Sequence, residues 1–226
     1  SYEQAVVYDR VLRFEERDKL MKILYYVYLL DVYMAVANVA KERGFVFAKA
    51  HPNDKNTLVM KGMFHPFLTK PVGNTITVDE NSNVIFLTGA NMAGKSTFMK
   101  SFGITVFLAH VGFPVPAKEM EFSVQNGMFT TINLPDNLNM GYSHFYAEVL
   151  RVKKVAQQVR QTQHLVVVFD ELFRGTNVKD AFDATLAVTE AIAERKNCAF
   201  MVSTHIIEVG QELGKRCDNV TFEYLP

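Results

Sequence analysis

The feature that most restricts the fold of this chain is a short run, Val84-Ile85-Phe86-Leu87-Thr88, followed at once by Gly89-Ala90-Asn91-Met92-Ala93-Gly94-Lys95-Ser96. A run without polar alternation reads as a strand buried on both faces, as happens in α/β sheets. The glycine-bounded octet fits G-x-x-x-x-G-K-[ST], whose backbone curls so that successive N–H groups face phosphate oxygens. A helical stretch from Lys95 to about His110 follows, and its positive N-terminal end favours the same anion. Strand, glycine loop and helix in this order are the context that turns a short motif into a phosphate site. Lys95 is expected to reach the β- and γ-phosphates of a nucleotide, and the Ser96 hydroxyl to serve as a Mg²⁺ ligand. Ala90 and Ala93 keep the loop uncrowded.

The rest of the chain extends this pattern. Leu165–Phe169 and Ala199–Ser203 read as two more buried strands, with amphipathic helix from Ala181 to Arg195 between them. Phe145–Gln161 reads as helix and Val220–Leu225 as a closing strand. Thr57–Met60 and Thr75–Val78 look like strands separated by Pro and Gly turn signals. Strands alternating with helices predict an α/β fold of the P-loop NTPase type, a mainly parallel sheet flanked by helices. An N-terminal helical segment precedes it, with apolar residues at helical spacing from about Glu3 to Arg43 and Gly44 as its stop. About 40 residues is long for a helix in a compact domain. Either a break falls near Tyr28–Asp31, or the segment belongs to a larger helical scaffold. The expected division is residues 1–44 and 45–226.

Composition narrows the class. Hydrophobic residues make up 49% and charged residues 21%, which allows a sizeable core. The 24 basic and 24 acidic residues cancel, so nothing in the overall charge favours a direct grip on nucleic acid, although a local basic patch would not show at this level. Two cysteines, Cys198 and Cys217, are too few for a disulfide framework, and a reduced, cytoplasmic chain is the simpler reading. Cys198 sits in an apolar run, as a small buried thiol would. Residues 1–4 carry no basic stretch leading into an apolar one, and no uninterrupted apolar run approaches the roughly 20 residues of a membrane span. A soluble protein without membrane contact is expected.

Leu165–Phe169 ends in Asp170-Glu171. At the carboxyl end of a buried strand beside a phosphate loop, Asp170 suits a Mg²⁺ ligand and Glu171 a general base that polarises water. Neighbouring carboxylates on a strand would point in different directions, so each is free for its own task. A strand running into a polar turn is the plainer alternative. Histidines 51, 110, 144 and 164 show no metal-ligand spacing and read as structural or solvated.

The motifs together resemble the MutS family of DNA mismatch-repair proteins. Thr88–Thr97, with Asn91-Met92 between the glycines, resembles the family's phosphate loop. Asp170-Glu171-Leu172-Phe173-Arg174-Gly175-Thr176 resembles its acidic motif, and Ser203-Thr204-His205 its Thr-His after the next strand. Gly141–Glu148 is similar to its signature segment, and Leu30–Val46 to the helix and linker entering its ATPase domain. The resemblance covers nearly the whole chain. It implies an ABC-type ATPase using ATP and Mg²⁺, with two copies of the domain paired head to tail. Gly89, Asn91, Met92, Ala93, Gly94, Lys95, Ser96 and Thr97 would then hold the nucleotide, with His65 of His65-Pro66 near the adenine. Ser143 would contact the γ-phosphate bound by the partner copy, and His205 would sense that phosphate and the attacking water. Asn91 and Asp180 would line the site and the subunit interface. DNA would be contacted through domains outside these residues, and ATP-dependent pairing of the domains would switch DNA-bound states.

Bland readings stand beside these roles: Ser143 as a helix cap, His205 as a surface histidine, His65 as a loop residue. Phe173, Ala93 and Ala181 stand where the family commonly has glycine, so the turn around Phe173 is where this chain departs from the pattern. The family's mismatch-reading region with its Phe-x-Glu, its clamp helices and its C-terminal dimer-forming segment have no counterpart here. The sequence is therefore expected to be an excised domain or a member without the DNA-reading parts. A nucleotide-dependent dimerisation module without hydrolysis is a second reading, opposed by Asp170-Glu171. A small-acceptor kinase is a third, and would need an arginine-rich lid.

Overall fold

Strands with two apolar faces organise the fold, and helices and a second sheet cover them. In the computed structural model, residues 2–89, 94–132 and 144–224 are described. The chain divides into two units, Ser1–Arg43 and Gly44–Pro226.

The first unit contains α1 (Tyr2–Arg10), a π-helical turn (Val11–Glu15) and α2 (Arg17–Arg43). Glu16 leaves helical geometry (φ −116°, ψ 12°), and its N–H donates to the Val11 carbonyl at 2.8 Å. Leu20 N–H then donates to the Glu16 carbonyl at 3.0 Å, where α2 begins. Of the two readings of the long segment, a break near Tyr28–Asp31 is not what the structure has: α2 runs through those residues, and the interruption falls at Glu16. Tyr28-Leu29-Leu30-Asp31 contains neither proline nor glycine, and leucine is a strong helix former. None of the residues of α2 is buried. Between Lys22 and Lys41 the single charged residue is Asp31, and an 18-residue window reaches a mean hydropathy of 1.5. By length and composition alone, α2 is long and apolar enough to cross a membrane. The uninterrupted apolar runs on either side of Asp31 are each far shorter than a membrane span, and only the helix as a whole meets the criteria. A helix packed all round by protein meets the same criteria.

The second unit holds strands β1 (Lys49–His51), β2 (Leu58–Met63), β3 (Asn74–Val78), β4 (Val84–Thr88), β5 (Glu119–Ser123), β6 (Gly127–Thr130), β7 (Leu165–Phe169), β8 (Ala199–Ser203) and β9 (Val220–Tyr224). Its helices are α3 (Lys95–His110), α4 (His144–Gln161), α5 (Val178–Ala193) and α6 (Ile207–Arg216). The main sheet runs β6-β7-β8-β4-β9 with every pairing parallel. This is the expected α/β architecture. A smaller mixed sheet, β1-β5-β2-β3, takes the strands expected around Thr57–Met60 and Thr75–Val78. Short elements (β1, β5, β6) and α6, with glycines at 210 and 214, carry weak local signals and were not read from the sequence.

Alternation along β4 sorts the core into two. Ile85 and Leu87 face Phe98, Phe102 and Val106 of α3 and the apolar side of the small sheet. Val84 and Phe86 face the other way, with Val155 of α4, Leu186 of α5 and Leu213 of α6. Both faces of β4, β7 and β8 are therefore dry. At the amino ends a buried amide network ties β4, α5 and β9 together. Asn219 Nδ2 donates to Asn83 Oδ1 and to the Ala193 carbonyl, each at 2.7 Å, and Asn83 Nδ2 donates to the Arg195 carbonyl at 3.0 Å. Cys198 is fully buried, and burial pushes its thiol above the usual range.

Candidate active site

The strand order brings the carboxyl ends of β7, β8 and β4 side by side, which is where open parallel sheets place their ligand crevices. β4 delivers Gly89, β7 delivers Asp170 and Glu171, and β8 delivers Ser203 and Thr204. Gly89 (φ 145°) and Gly94 (φ 89°) both occupy backbone that L side chains rarely adopt. Gly94 caps α3, and its carbonyl accepts the first helical bond from Phe98 N–H at 2.9 Å. A side chain at either glycine would strain the entry to the helix. Asn91, Met92 and Ala93, with Ala90, lie outside the described residues, and so does Ser143.

Lys95 is 5% exposed and its Nζ donates to the Gly89 carbonyl at 2.6 Å. A buried ammonium needs such partners, and this one ties the first turn of α3 to the residue that follows β4. Next along α3, Ser96 Oγ donates to Asp170 Oδ2 at 3.0 Å. The two residues singled out as Mg²⁺ ligands, 74 positions apart, are thus in direct contact. Thr97 is exposed in the first turn of α3, and its carbonyl accepts from Ser101 Oγ at 2.8 Å.

Asp170 and Glu171 follow β7 rather than belonging to it. Glu171 adopts a left-handed conformation (φ 47°), and Phe173, two residues on, does the same (φ 61°). The divergence expected from strand alternation arises instead from this turn, because the pleat ends at Phe169. Each left-handed residue with a side chain costs about 1–2 kcal/mol. Such geometry persists only where the surroundings hold it.

Ser203 is one of the groups that hold it. Its Oγ donates to Asp170 Oδ1 at 2.8 Å and accepts from Glu171 N–H at 2.9 Å, so one buried hydroxyl binds both acidic residues. The sequence reading noted Ser203 only as part of Ser-Thr-His. Its signal was a hydroxyl closing an otherwise apolar strand. On the other side, Thr131 extends the β6–β7 pairing, with its N–H donating to the Val168 carbonyl at 2.9 Å and its Oγ1 accepting from Asp170 N–H at 3.4 Å. Arg174 Nη1 lies 3.4 Å from Glu171 Oε2, with the arginine 70% exposed. A pair this open to solvent is worth about 0–1 kcal/mol, so it does not lock Glu171 in place.

His205 is exposed two residues beyond β8. The turn carrying it is fixed by Thr204, whose N–H donates to the Leu87 carbonyl at 3.2 Å and whose Oγ1 accepts from Ile206 N–H at 3.1 Å. His65 sits in the β2–β3 connection, where Nδ1 accepts from Phe67 N–H at 3.3 Å and the two rings lie 5.9 Å apart. Its contacts are with its own loop. Asp180 forms a reciprocal cap at the start of α5. Its N–H donates to Asn177 Oδ1 at 2.9 Å, and Asn177 Nδ2 donates to Asp180 Oδ2 at 2.7 Å.

The chain resembles known proteins over most of its length. The family model described as MutS domain V matches residues 85–223, from β4 into β9. Among curated relatives, the DNA mismatch repair protein MutS of Persephonella marina is 30% identical over 217 residues, covering 92% of this chain and 24% of the relative. That of Clostridium botulinum (strain Okra) is 32% identical over 215 residues, covering 91% and 22%. That of Brevibacillus brevis is 33% identical over 187 residues, covering 80% and 21%. The chain therefore spans about a quarter of the length of the curated relatives it matches. With the family model covering more than half of the chain, and the phosphate-loop strand and the acidic strand both inside the match, this protein belongs to the MutS family through its domain V.

Proposed function

We propose that this chain binds Mg-ATP and hydrolyses it, as the ATPase domain of a MutS-type mismatch-repair protein. The observation that carries the reading is the contact between Ser96 and Asp170 at the sheet's carboxyl edge, beside Lys95 at the mouth of α3. That donor set fits Mg-ATP. A hydroxyl and a carboxylate offer hard oxygen ligands, leaving other positions to phosphate oxygens and water, as Mg²⁺ prefers. The ion, when bound, supplies charge neutralisation on the phosphates.

The chain's own residues divide the rest. Gly89–Ser96 cradles the phosphates with backbone N–H groups, and Lys95 exchanges its carbonyl partner for a phosphate oxygen. Glu171 takes the proton of the attacking water, and His205 completes the polar wall from the β8 side. Thr97 lies in the same first helical turn as Ser96, and His65 is the candidate contact for the adenine. Ser143 and its neighbours in Gly141–Glu148 serve the nucleotide of a second copy, so the working unit is a pair of domains. ATP-dependent pairing then switches DNA-bound states through domains outside this chain, because a ligand shifts an equilibrium only through differential affinity for its states. The zero net charge of the chain accords with DNA being held elsewhere.

Residues 1–44 are read as part of a larger helical scaffold, with α2 covered by protein rather than lipid. Asp31, in mid-helix, would cost about 2.5–3.5 kcal/mol at a bilayer centre. A cytoplasmic setting is part of the same proposal.

Two substitutions and a dilution test the reading. Lys95→Ala should abolish Mg-ATP binding by calorimetry with the fold intact, and wild-type affinity would refute the assignment. Glu171→Gln should keep affinity yet lose about 10²–10⁴-fold in turnover. Association costs several kcal/mol, so pairing should be weak and specific activity should rise with protein concentration. Activity that stays flat when a proven monomer is diluted would show that one chain holds a complete site.

A further inference from the structure

The turn that carries Glu171 contains two left-handed residues, and only one of them has a ring. Phe173 is 3% exposed and sits in the core on the α4, α5 and α6 side of the main sheet. Its ring lies 5.7 Å from that of Phe145, in the first turn of α4, with planes inclined by 56°. That separation lies within the range in which aromatic pairs attract, and the tilt avoids a face-to-face sandwich. A second tie joins the same partners: Gly175 N–H reaches Glu148 Oε2, one turn further along α4, at 3.5 Å. On the opposite side, Glu171 N–H is held by Ser203.

Glycine at position 173 would take φ 61° without strain and would leave nothing to dock. Phenylalanine accepts the strain and inserts an anchor. We infer that Phe173 is a positioning residue for Glu171, clamping the acidic turn onto Phe145 so that the placement of α4 sets the placement of the carboxylate. The inference rests on the reading of Glu171 as the base. It makes α4 a lever on that base within a single chain. A shift of the start of α4 would move residues 172–175 with it and tilt the Glu171 side chain about its Ser203-held N–H, while Asp170, held by Ser96 and Ser203, would stay.

The test uses the whole chain and reads binding, chemistry and local order separately. Phe173→Gly relieves the backbone and removes the anchor. Mg-ATP affinity should stay within about threefold of wild type, while single-turnover hydrolysis falls by about tenfold or more. Backbone amides of residues 171–176 should exchange hydrogen about tenfold faster. Phe145→Ala, on a different helix, should reproduce both effects, and the double variant should add little to either. Phe173→Leu, which refills the core, should recover most of the rate. Hydrolysis by Phe173→Gly within twofold of wild type, or unchanged 171–176 exchange in Phe145→Ala, would overturn the inference. If the wild-type chain binds no Mg-ATP, the ATPase reading fails by itself, and the exchange measurement still decides whether Phe145 holds the turn.

Discussion

Replacing Ser203 with alanine isolates the hydroxyl that joins the two acidic residues. Ser203 is fully buried. Its donated bond to Asp170 Oδ1 is 2.8 Å and runs to a charged acceptor, a type of bond worth about 1.5–3 kcal/mol. The substitution also removes the acceptor of Glu171 N–H, 2.9 Å away, in a turn that is already strained. Asp170 keeps the Ser96 hydroxyl, so its charge is not orphaned. The expected loss is about 2–4 kcal/mol. Ser101→Ala is the control. Ser101 is 3% exposed, and its hydroxyl donates at 2.8 Å to the neutral Thr97 carbonyl inside α3. There the backbone keeps its helical bonds and alanine favours the helix, so the loss should be about 0–1 kcal/mol. Urea unfolding of both variants, compared at equal m-values, reads the difference directly. If Ser203→Ala loses no more than Ser101→Ala, the charge-assisted bond contributes nothing, and Ser203 does not hold the acidic turn.

Asn83→Ala should destabilise the domain by about 2–4 kcal/mol in the same assay. It leaves an Asn219 N–H without its acceptor in a buried site and takes one donor from the Arg195 carbonyl, which keeps that of Cys198 N–H. A loss under about 0.5 kcal/mol would mean the amide network is dispensable. Asn177→Ala removes the side-chain acceptor at the start of α5 and should cost about 1 kcal/mol. An unchanged denaturation midpoint would show that Asp180 caps the helix without it.

What the sequence alone determined was local. Val84–Thr88 was legible as a buried strand because both of its faces are apolar, and Gly89 and Gly94 stand out because each adopts a backbone conformation that favours glycine. The helix from Lys95 to about His110 was legible because Gly94 is followed by a proline-free run, and it spans Lys95–His110. The order of strands and helices then left little besides a parallel sheet. Tertiary structure decided the rest. It divided the strands between two sheets, a choice that depends on partners tens of residues away and not on strand propensity. It set Ser203, 33 residues from Asp170, against both acidic groups; the run Ala199–Ser203 shows only that a hydroxyl closes an apolar strand, not what that hydroxyl meets. It put Phe173 into a left-handed turn, which only a ring partner 28 positions earlier in the chain makes intelligible. It also moved the helix break to Glu16, where one backbone residue leaves the helix without proline or glycine to signal it. Local propensity is written residue by residue, whereas contacts across the fold exist only once the chain has closed on itself.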